Sequence, residues 1–204
     1  MPKITKILSN KKLKVPKSDV YIDDNFCFSV LDEIVLKCGL TENKEVDEKS
    51  LIEILSENEK VLCFNKALLY VARKICSRFE LEKNLEKKGF SKTAIDNAIT
   101  KLIDYNYIND SEYVNTYISF NTHKGKLKIK YELKQKGIGD KLIIDALSKI
   151  VNQDAVCLEA VKKYILKRPD YKKQSLYQYL ISKGFEYDVI LSALNKIGSL
   201  DLNE

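Results

Sequence analysis

Two hydrophobic periods divide the chain. Between residues 3 and 28 short apolar runs alternate with polar residues: Ile4-Thr5-Lys6-Ile7-Leu8, Leu13 and Val15 among lysines, Val20-Tyr21-Ile22, and Phe26-Cys27-Phe28. Period-two alternation is the mark of half-buried strands, and Asp23-Asp24-Asn25 is a turn tripeptide between two of them. Three or four short strands in a hairpin or small meander are predicted, a piece too small to hold unless it docks on helices. After this the period changes. Leu31, Ile34 and Val35 share one helical face over residues 29–38, and Gly39 stands where a helix-ending glycine belongs. Asp47 is placed to cap the next helix, in which Leu51, Ile52 and Leu55 recur at helical spacing. From Phe64 onward the pattern predicts helices only.

That helical part repeats itself. The tripeptides Lys88-Gly89-Phe90, Lys136-Gly137-Ile138 and Lys183-Gly184-Phe185 lie 48 and 47 residues apart. Four residues before each glycine stands Leu85, Leu133 or Leu180, and eight before stands Leu81, Ile129 or Leu176. Six, nine, ten and thirteen after it come Ile95, Ala98, Ile99 and Leu102 in the first copy, Ile143, Ala146, Leu147 and Ile150 in the second, and Ile190, Ala193, Leu194 and Ile197 in the third. Matched apolar positions at a fixed period signal a repeat architecture. The pair at −8 and −4 is one face of a helix, the glycine ends it, and the later set is the stripe of the helix that follows. A further helix precedes each copy, over 64–75, 111–122 and 152–167, so the unit is a three-helix module. Ser77-Arg78-Phe79-Glu80 reads as a capping box, and Asp110 and Asp170 as N-caps. Modules of this size bury little alone and should stack. The expected fold is mainly α: an elongated array of three tandem three-helix repeats (63–110, 111–151 and 152–204) preceded by a small β-hairpin/α extension (1–62).

Composition agrees. Seven glycines and three prolines in 204 residues exclude loop-rich all-β and collagen-like chains. No apolar run approaches the ~20 residues that span a bilayer. The first 17 residues carry six lysines and no apolar core, unlike a secretory signal. Five cysteines without a CxxC pair, and a single histidine, predict packing thiols, a reducing cytoplasmic setting and no metal site. The net charge of +6 is uneven: residues 1–62 hold 10 basic and 12 acidic side chains, and residues 63–204 hold 25 and 17. The helical part is thus the one suited to a polyanion or an acidic protein surface.

The candidate contacts follow that charge. Between Asn121 and Lys141 lie Lys124, Lys126, Lys128, Lys130, Lys134, Lys136 and Lys141 against only Glu132 and Asp140. Ile129 and Leu133 form the buried seam there, with Lys130 and Lys134 on one flank and Lys128 on the other. A second group, Lys162, Lys163, Lys167, Arg168, Lys172 and Lys173, brackets Pro169, and a third is Arg73, Lys74, Arg78, Lys83, Lys87 and Lys88. Each is a candidate lip for phosphates or acidic side chains, and each is equally readable as a solvated helix face. Only Arg73, Arg78 and Arg168 are arginines, and lysine reads base edges poorly, so any nucleic-acid contact would be largely sequence-independent. Tyr105 and Tyr107 lie in a polar linker and could stack on bases, though an amphipathic tyrosine more often caps a core. His123 has no neighbouring cysteine or acid and reads as a helix-end residue. Phosphate-cradling, serine-nucleophile and zinc-protease motifs are lacking, and Glu-x-Lys triplets such as Glu132-Leu133-Lys134 arise by chance in a chain this charged. No enzyme and no cofactor is expected.

Several of these motifs resemble the RecX family, bacterial regulators of the RecA recombinase. Tyr21-Ile22-Asp23-Asp24-Asn25-Phe26-Cys27-Phe28 is similar to the family's Tyr-apolar-Asp-x-x-Phe-x-Phe turn, and Ala67-Leu68-Leu69-Tyr70 to its Ala-Leu-x-Tyr. Ser77, Glu80, Leu81, Leu85, Lys88, Gly89 and Phe90 follow its first-repeat pattern, Asn106-Tyr107-Ile108-Asn109-Asp110 its linker, and Lys124, Gly125, Ile129, Glu132, Leu133, Lys136, Gly137 and Ile138 its second repeat. The chain departs in lacking a turn glycine near Asp24, in carrying Asn106 for a linker glycine, and in having Lys74-Ile75-Cys76 where the family is often arginine-rich. The resemblance implies a monomeric binding regulator that lies in the groove of the RecA filament on single-stranded DNA and limits filament extension, ATP hydrolysis and strand exchange, inhibition being the expected direction. It also allows contact with single- or double-stranded DNA. The competing expectation is a helical-repeat protein that binds nucleic acid directly, without RecA.

Overall fold

The computed structural model describes residues 2–10 and 15–198. Three strands, β1 (Ile4–Asn10), β2 (Lys17–Ile22) and β3 (Asn25–Leu31), form an antiparallel sheet in the order β1-β2-β3. Ile22 pairs with Asn25 across the second hairpin, so its loop is the dipeptide Asp23-Asp24, with φ of 48° and 64°. Both residues are left-handed, as a type I′ turn requires. Aspartate tolerates that region, which explains how the hairpin closes without glycine. Of the strand predicted at Leu13 and Val15, Val15 is an exposed bend before β2, and Leu13 lies outside the described residues.

Strand β3 runs to Leu31, so the first helix, α1 (Asp32–Lys37), starts three residues later than the apolar pattern suggested. The ladder pairing of Leu31 with Lys17 holds the backbone extended until there. Gly39 follows α1 at φ +57°. Asp47 caps α2 (Glu48–Val71) by accepting from the Ser50 amide at 2.9 Å. No glycine or proline interrupts that segment, so what reads as two helices, one around Leu51 and one over 64–75, is a single 24-residue helix ending at Val71. Ile4, Val20, Val30, Leu31, Ile34, Val46 and Ile54 form the core under the sheet. Buried Asn58 reaches it from α2, its side-chain oxygen accepting from the Leu31 amide at 3.0 Å.

The remaining helices are α3 (Arg78–Glu86), α4 (Lys92–Asp104), α5 (Asp110–Phe120), α6 (Lys126–Gln135), α7 (Asp140–Ser148), α8 (Gln153–Lys167), α9 (Lys173–Ser182) and α10 (Tyr187–Gly198). They give the three predicted triplets, α2-α3-α4, α5-α6-α7 and α8-α9-α10. Of the repeated apolar positions all are buried except Phe90, Ile150, Leu194 and Ile197, which are half-buried. Gly89, Gly137 and Gly184 adopt φ of +82°, +73° and +82°. At each, the amide after the glycine returns to the leucine four residues before it: Phe90 to Leu85, Ile138 to Leu133 and Phe185 to Leu180, at 3.4, 3.1 and 3.4 Å. This closure satisfies the last carbonyls of the middle helix and folds the following apolar side chain onto it.

Two caps differ from expectation. Asn109, not Asp110, caps α5, its amide oxygen accepting from Ser111 and Glu112 at 3.0 and 3.2 Å. Asp110 is already helical and instead accepts from the Arg78 amide at 2.8 Å. Lys172, not Asp170, precedes α9, with no side-chain cap. The Ser77–Glu80 capping box forms as predicted, at 3.2 and 3.1 Å. Asn106 fills the linker-glycine position at φ +56°.

The residues group into two compact units, one comprising the chain up to Lys74 with Leu81–Tyr107, the other Ile75–Glu80 with the chain from Ile108 on. In the second unit the Gly184 turn sits on the start of α6: the Gly125 amide donates to the Lys183 carbonyl at 2.9 Å and the Leu127 amide to the Gly184 carbonyl at 3.0 Å. A Cβ on Gly125 would lie 2.1 Å from the Gly184 carbonyl carbon. Gly139 is a matched control: it precedes α7 at φ −67° as Gly125 precedes α6 at φ −71°, but its Cβ would meet nothing within 4 Å among the described residues. Gly125→Ala should therefore lower stability by about 1–3 kcal/mol more than Gly139→Ala, because only the first overpacks a backbone contact. Urea unfolding of the two variants checks this, and equal midpoints would refute the contact.

Candidate functional site

Helix α6 and the loop before it carry the densest run of lysines, and the structure sorts them. Lys124 is half-buried and donates to both carboxylate oxygens of Glu132, at 3.0 and 2.8 Å. The Tyr117 hydroxyl, from α5, donates to the same carboxylate at 2.5 Å. Lys136 pairs with Glu80 at 2.9 Å and lies 5.9 and 5.7 Å from the ring centroids of Tyr113 and Tyr117, which stack on each other. Ser77 donates to the Lys136 carbonyl at 2.7 Å. Glu132, Lys124, Tyr117, Tyr113, Lys136 and Glu80 thus form one half-buried chain of alternating partners. Burial works against the Glu132 carboxylate, but the bonds from Lys124 and Tyr117 outweigh it and hold the group below the usual carboxylate range. Burial, then the bond to Glu132, pushes the Tyr117 phenol well up, and the bond to Glu80 pushes the Lys136 ammonium up.

The other lysines of this run remain at the surface. Lys126, Lys128 and Lys130 are half-buried along their stems and Lys134 is exposed. Lys134 meets Asp140 at 2.7 Å in an exposed pair, and Lys128 stands 5.9 Å from the Tyr131 ring centroid. The backbone of Lys126 donates to the Gln153 side chain at 3.2 Å, fixing the start of α6 against that of α8.

The group of the third repeat is more open. Lys162, Lys163, Lys167, Arg168, Lys172 and Lys173 are all exposed, spread over the end of α8 and the start of α9 around the turn at Pro169. Lys163 pairs with Glu159 at 3.0 Å, and Arg168 lies over the Tyr164 ring at 5.0 Å and donates to its hydroxyl at 3.1 Å. Tyr164 in turn packs at 4.7 Å against Tyr179, so a rigid aromatic base supports that arginine. His123, exposed in the loop before α6, borders an open groove of about 610 Å³ also lined by Ala155, Val156 and Ala160 of α8.

In the first repeat Arg73, Lys74 and Arg78 are exposed, Lys74 lying 4.7 Å from the Tyr70 ring centroid. Tyr105 and Tyr107 meet edge to face at 6.4 Å and are 65% and 59% exposed. None of the five cysteines is in a disulfide, and burial raises the thiols of Cys63 and Cys157 to about 11. Among the described residues no cluster of histidine, cysteine or carboxylate could hold a metal, and no helix is long and apolar enough to cross a membrane.

Sequence reasoning placed the lysines but missed the partners that neutralise two of them. Glu80 was legible as the last residue of a capping box and as part of the first-repeat pattern, and Tyr113 and Tyr117 carried no signal. That they meet Lys136 depends on the fold bringing side chains of α5 and of the segment Ile75–Glu80 to the end of α6. Because the Glu132 carboxyl is held low in the folded state, its contribution to stability is complete above the ordinary carboxylate value and is lost as pH falls through the folded one. Glu132→Gln should therefore flatten the acid limb of stability as well as lower stability at pH 7, measured by urea unfolding between pH 3 and 7. An unchanged acid limb would remove Glu132 from the pH response.

Residues 2–47 match the regulatory protein RecX N-terminal domain, residues 63–102 the first RecX three-helix domain and residues 109–147 the second. The chain is 35% identical to the regulatory protein RecX of Clostridium perfringens strain 13, over 97% of each chain. It is also 35% identical to that of Bacillus subtilis strain 168, over 97% of this chain and 78% of the relative. In fold it resembles a crystal structure of regulatory protein RecX, with a TM-score of 0.72 and 24% identity over 96% of this chain and 100% of the other. A crystal structure of RecX from Lactobacillus salivarius aligns at TM-score 0.63 with 27% identity over 70% of this chain and 98% of the other.

Proposed function

The chain belongs to the RecX family of regulatory proteins, and from that premise we propose that it modulates a RecA recombinase, inhibiting it by binding in the groove of the RecA filament on single-stranded DNA. Family membership over nearly the whole length is the observation that carries this reading. It is a regulator's family, so the chain acts by binding, as a cytoplasmic monomer without a cofactor. Consecutive three-helix modules bridge neighbouring filament subunits and so limit filament extension, ATP hydrolysis and strand exchange. Several weak contacts on one chain multiply into a firm hold without a dominant hot spot.

The contact surface comprises the surface lysines of α6, Lys126, Lys128, Lys130 and Lys134, with the exposed third-repeat group and Arg73, Lys74 and Arg78 of the first. Lys124 has a second duty, because it is already committed to Glu132. The surface is nearly all lysine, which meets carboxylates or phosphates as a point charge and adds little base discrimination. Direct contact with DNA then follows counterion release and weakens steeply with salt.

Replacing Lys128, Lys130 and Lys134 together with Glu should weaken filament binding at least tenfold while leaving helicity intact, since the ion pair broken among the described residues, Lys134 with Asp140, is exposed. RecA ATP hydrolysis on single-stranded DNA, titrated with each protein, reads the effect. Matched titrations of DNA alone separate the two functions. Strong sub-stoichiometric inhibition with weak direct DNA binding supports the filament reading. No effect on hydrolysis with tight, salt-sensitive DNA binding would make the protein a direct nucleic-acid binder instead.

A further inference from the structure

The second unit contains the same joint twice. Twelve residues before its own glycine, each middle helix begins at Ser77, Gly125 or Lys172, and ten before stands Phe79, Leu127 or Gln174. At the first two, the turn of the following repeat is seated on that helix start. Ser77 donates through Oγ to the Lys136 carbonyl at 2.7 Å, and Gly125 through its amide to the Lys183 carbonyl at 2.9 Å. The approach is close in both: a Cβ on Gly137 would lie 2.3 Å from Cβ of Phe79, and a Cβ on Gly184 would lie 2.2 Å from the Lys128 amide nitrogen. A small residue followed two positions later by a large apolar one thus receives a Lys-Gly-apolar turn whose glycine must lack a side chain.

The third copy of that turn has no such seat among the described residues. Gly89 is exposed with the same φ of +82° as Gly184, and among the described residues nothing lies within 4 Å of where its Cβ would sit. The remaining helix start does not fit the rule, because Lys172 occupies the small position and Gln174 the apolar one. We propose that the Lys88-Gly89-Phe90 turn is a docking surface for the start of a helix in a partner protein, one opened by serine or glycine with a large apolar residue two positions on, and that Lys172 and Gln174 deny it to a second copy of this chain. Without that denial, turn and helix start would pair head to tail and the chain would self-associate. Neither the geometry nor its test involves RecA.

The probe is a second copy whose trailing helix start is made to fit. Lys172→Gly with Gln174→Leu installs the residues of the second repeat, and Lys172→Ser with Gln174→Phe installs those of the first. Either double variant should self-associate, its mass by sedimentation equilibrium rising with concentration to at least twice that of the wild type, which stays monomeric. Gly89→Asn supplies the control: asparagine tolerates the left-handed backbone and its side chain enters open space, so the fold is kept while the close approach is blocked. Added to either double variant, Gly89→Asn should restore the monomer, with helicity by circular dichroism unchanged. Monomeric behaviour of both folded double variants would overturn the docking surface, as would association that persists with Gly89→Asn. Wild-type association abolished by Gly89→Asn would overturn the role given to Lys172 and Gln174.

Discussion

The left-handed glycine after each middle helix is the constraint on which the rest of the helical region depends. Gly89, Gly137 and Gly184 follow the ends of α3, α6 and α9, and the leucines four and eight positions back, or isoleucine in one copy, are buried in each repeat. The same glycines aim the next apolar residue, Phe90, Ile138 or Phe185, onto the helix just ended. A side chain at these positions would strain the backbone at all three sites and clash at Gly137 and Gly184, where the turn is pressed against another helix start. One residue type thus ends a helix, sets a core layer and permits a joint.

Charge is arranged around these joints in two ways. Lys136 and Lys124 are drawn into pairs with Glu80 and Glu132, backed by the stacked rings of Tyr113 and Tyr117. Partial burial strengthens such pairs because fewer waters compete for the charged groups. These lysines belong to the architecture. Those over the end of α8 and the start of α9 project into water, where a partner can meet them without first breaking a buried pair. Two lysines in one run of sequence, Lys134 and Lys136, therefore differ in kind: the first is in an exposed pair within its own module, the second in a half-buried clamp to Glu80.

The amino-acid sequence by itself determined the three triplets of helices, their apolar faces, the Ser77 capping box and the Asp23-Asp24 turn, because each follows from interactions within a few residues or from a repeated pattern. It also carried the family resemblance and the uneven charge. Tertiary structure decided the remainder. It fused the two apparent helices between Asp47 and Val71 into α2, gave the cap of α5 to Asn109, and ran β3 on to Leu31 by pairing with β2. Above all it separated structural lysines from available ones and revealed that Gly125 must be glycine although its φ is ordinary. Those facts depend on residues as far apart as Glu80 and Lys136, or Gly125 and Gly184, and a one-dimensional pattern cannot register a contact whose two halves only the packing of helices brings together.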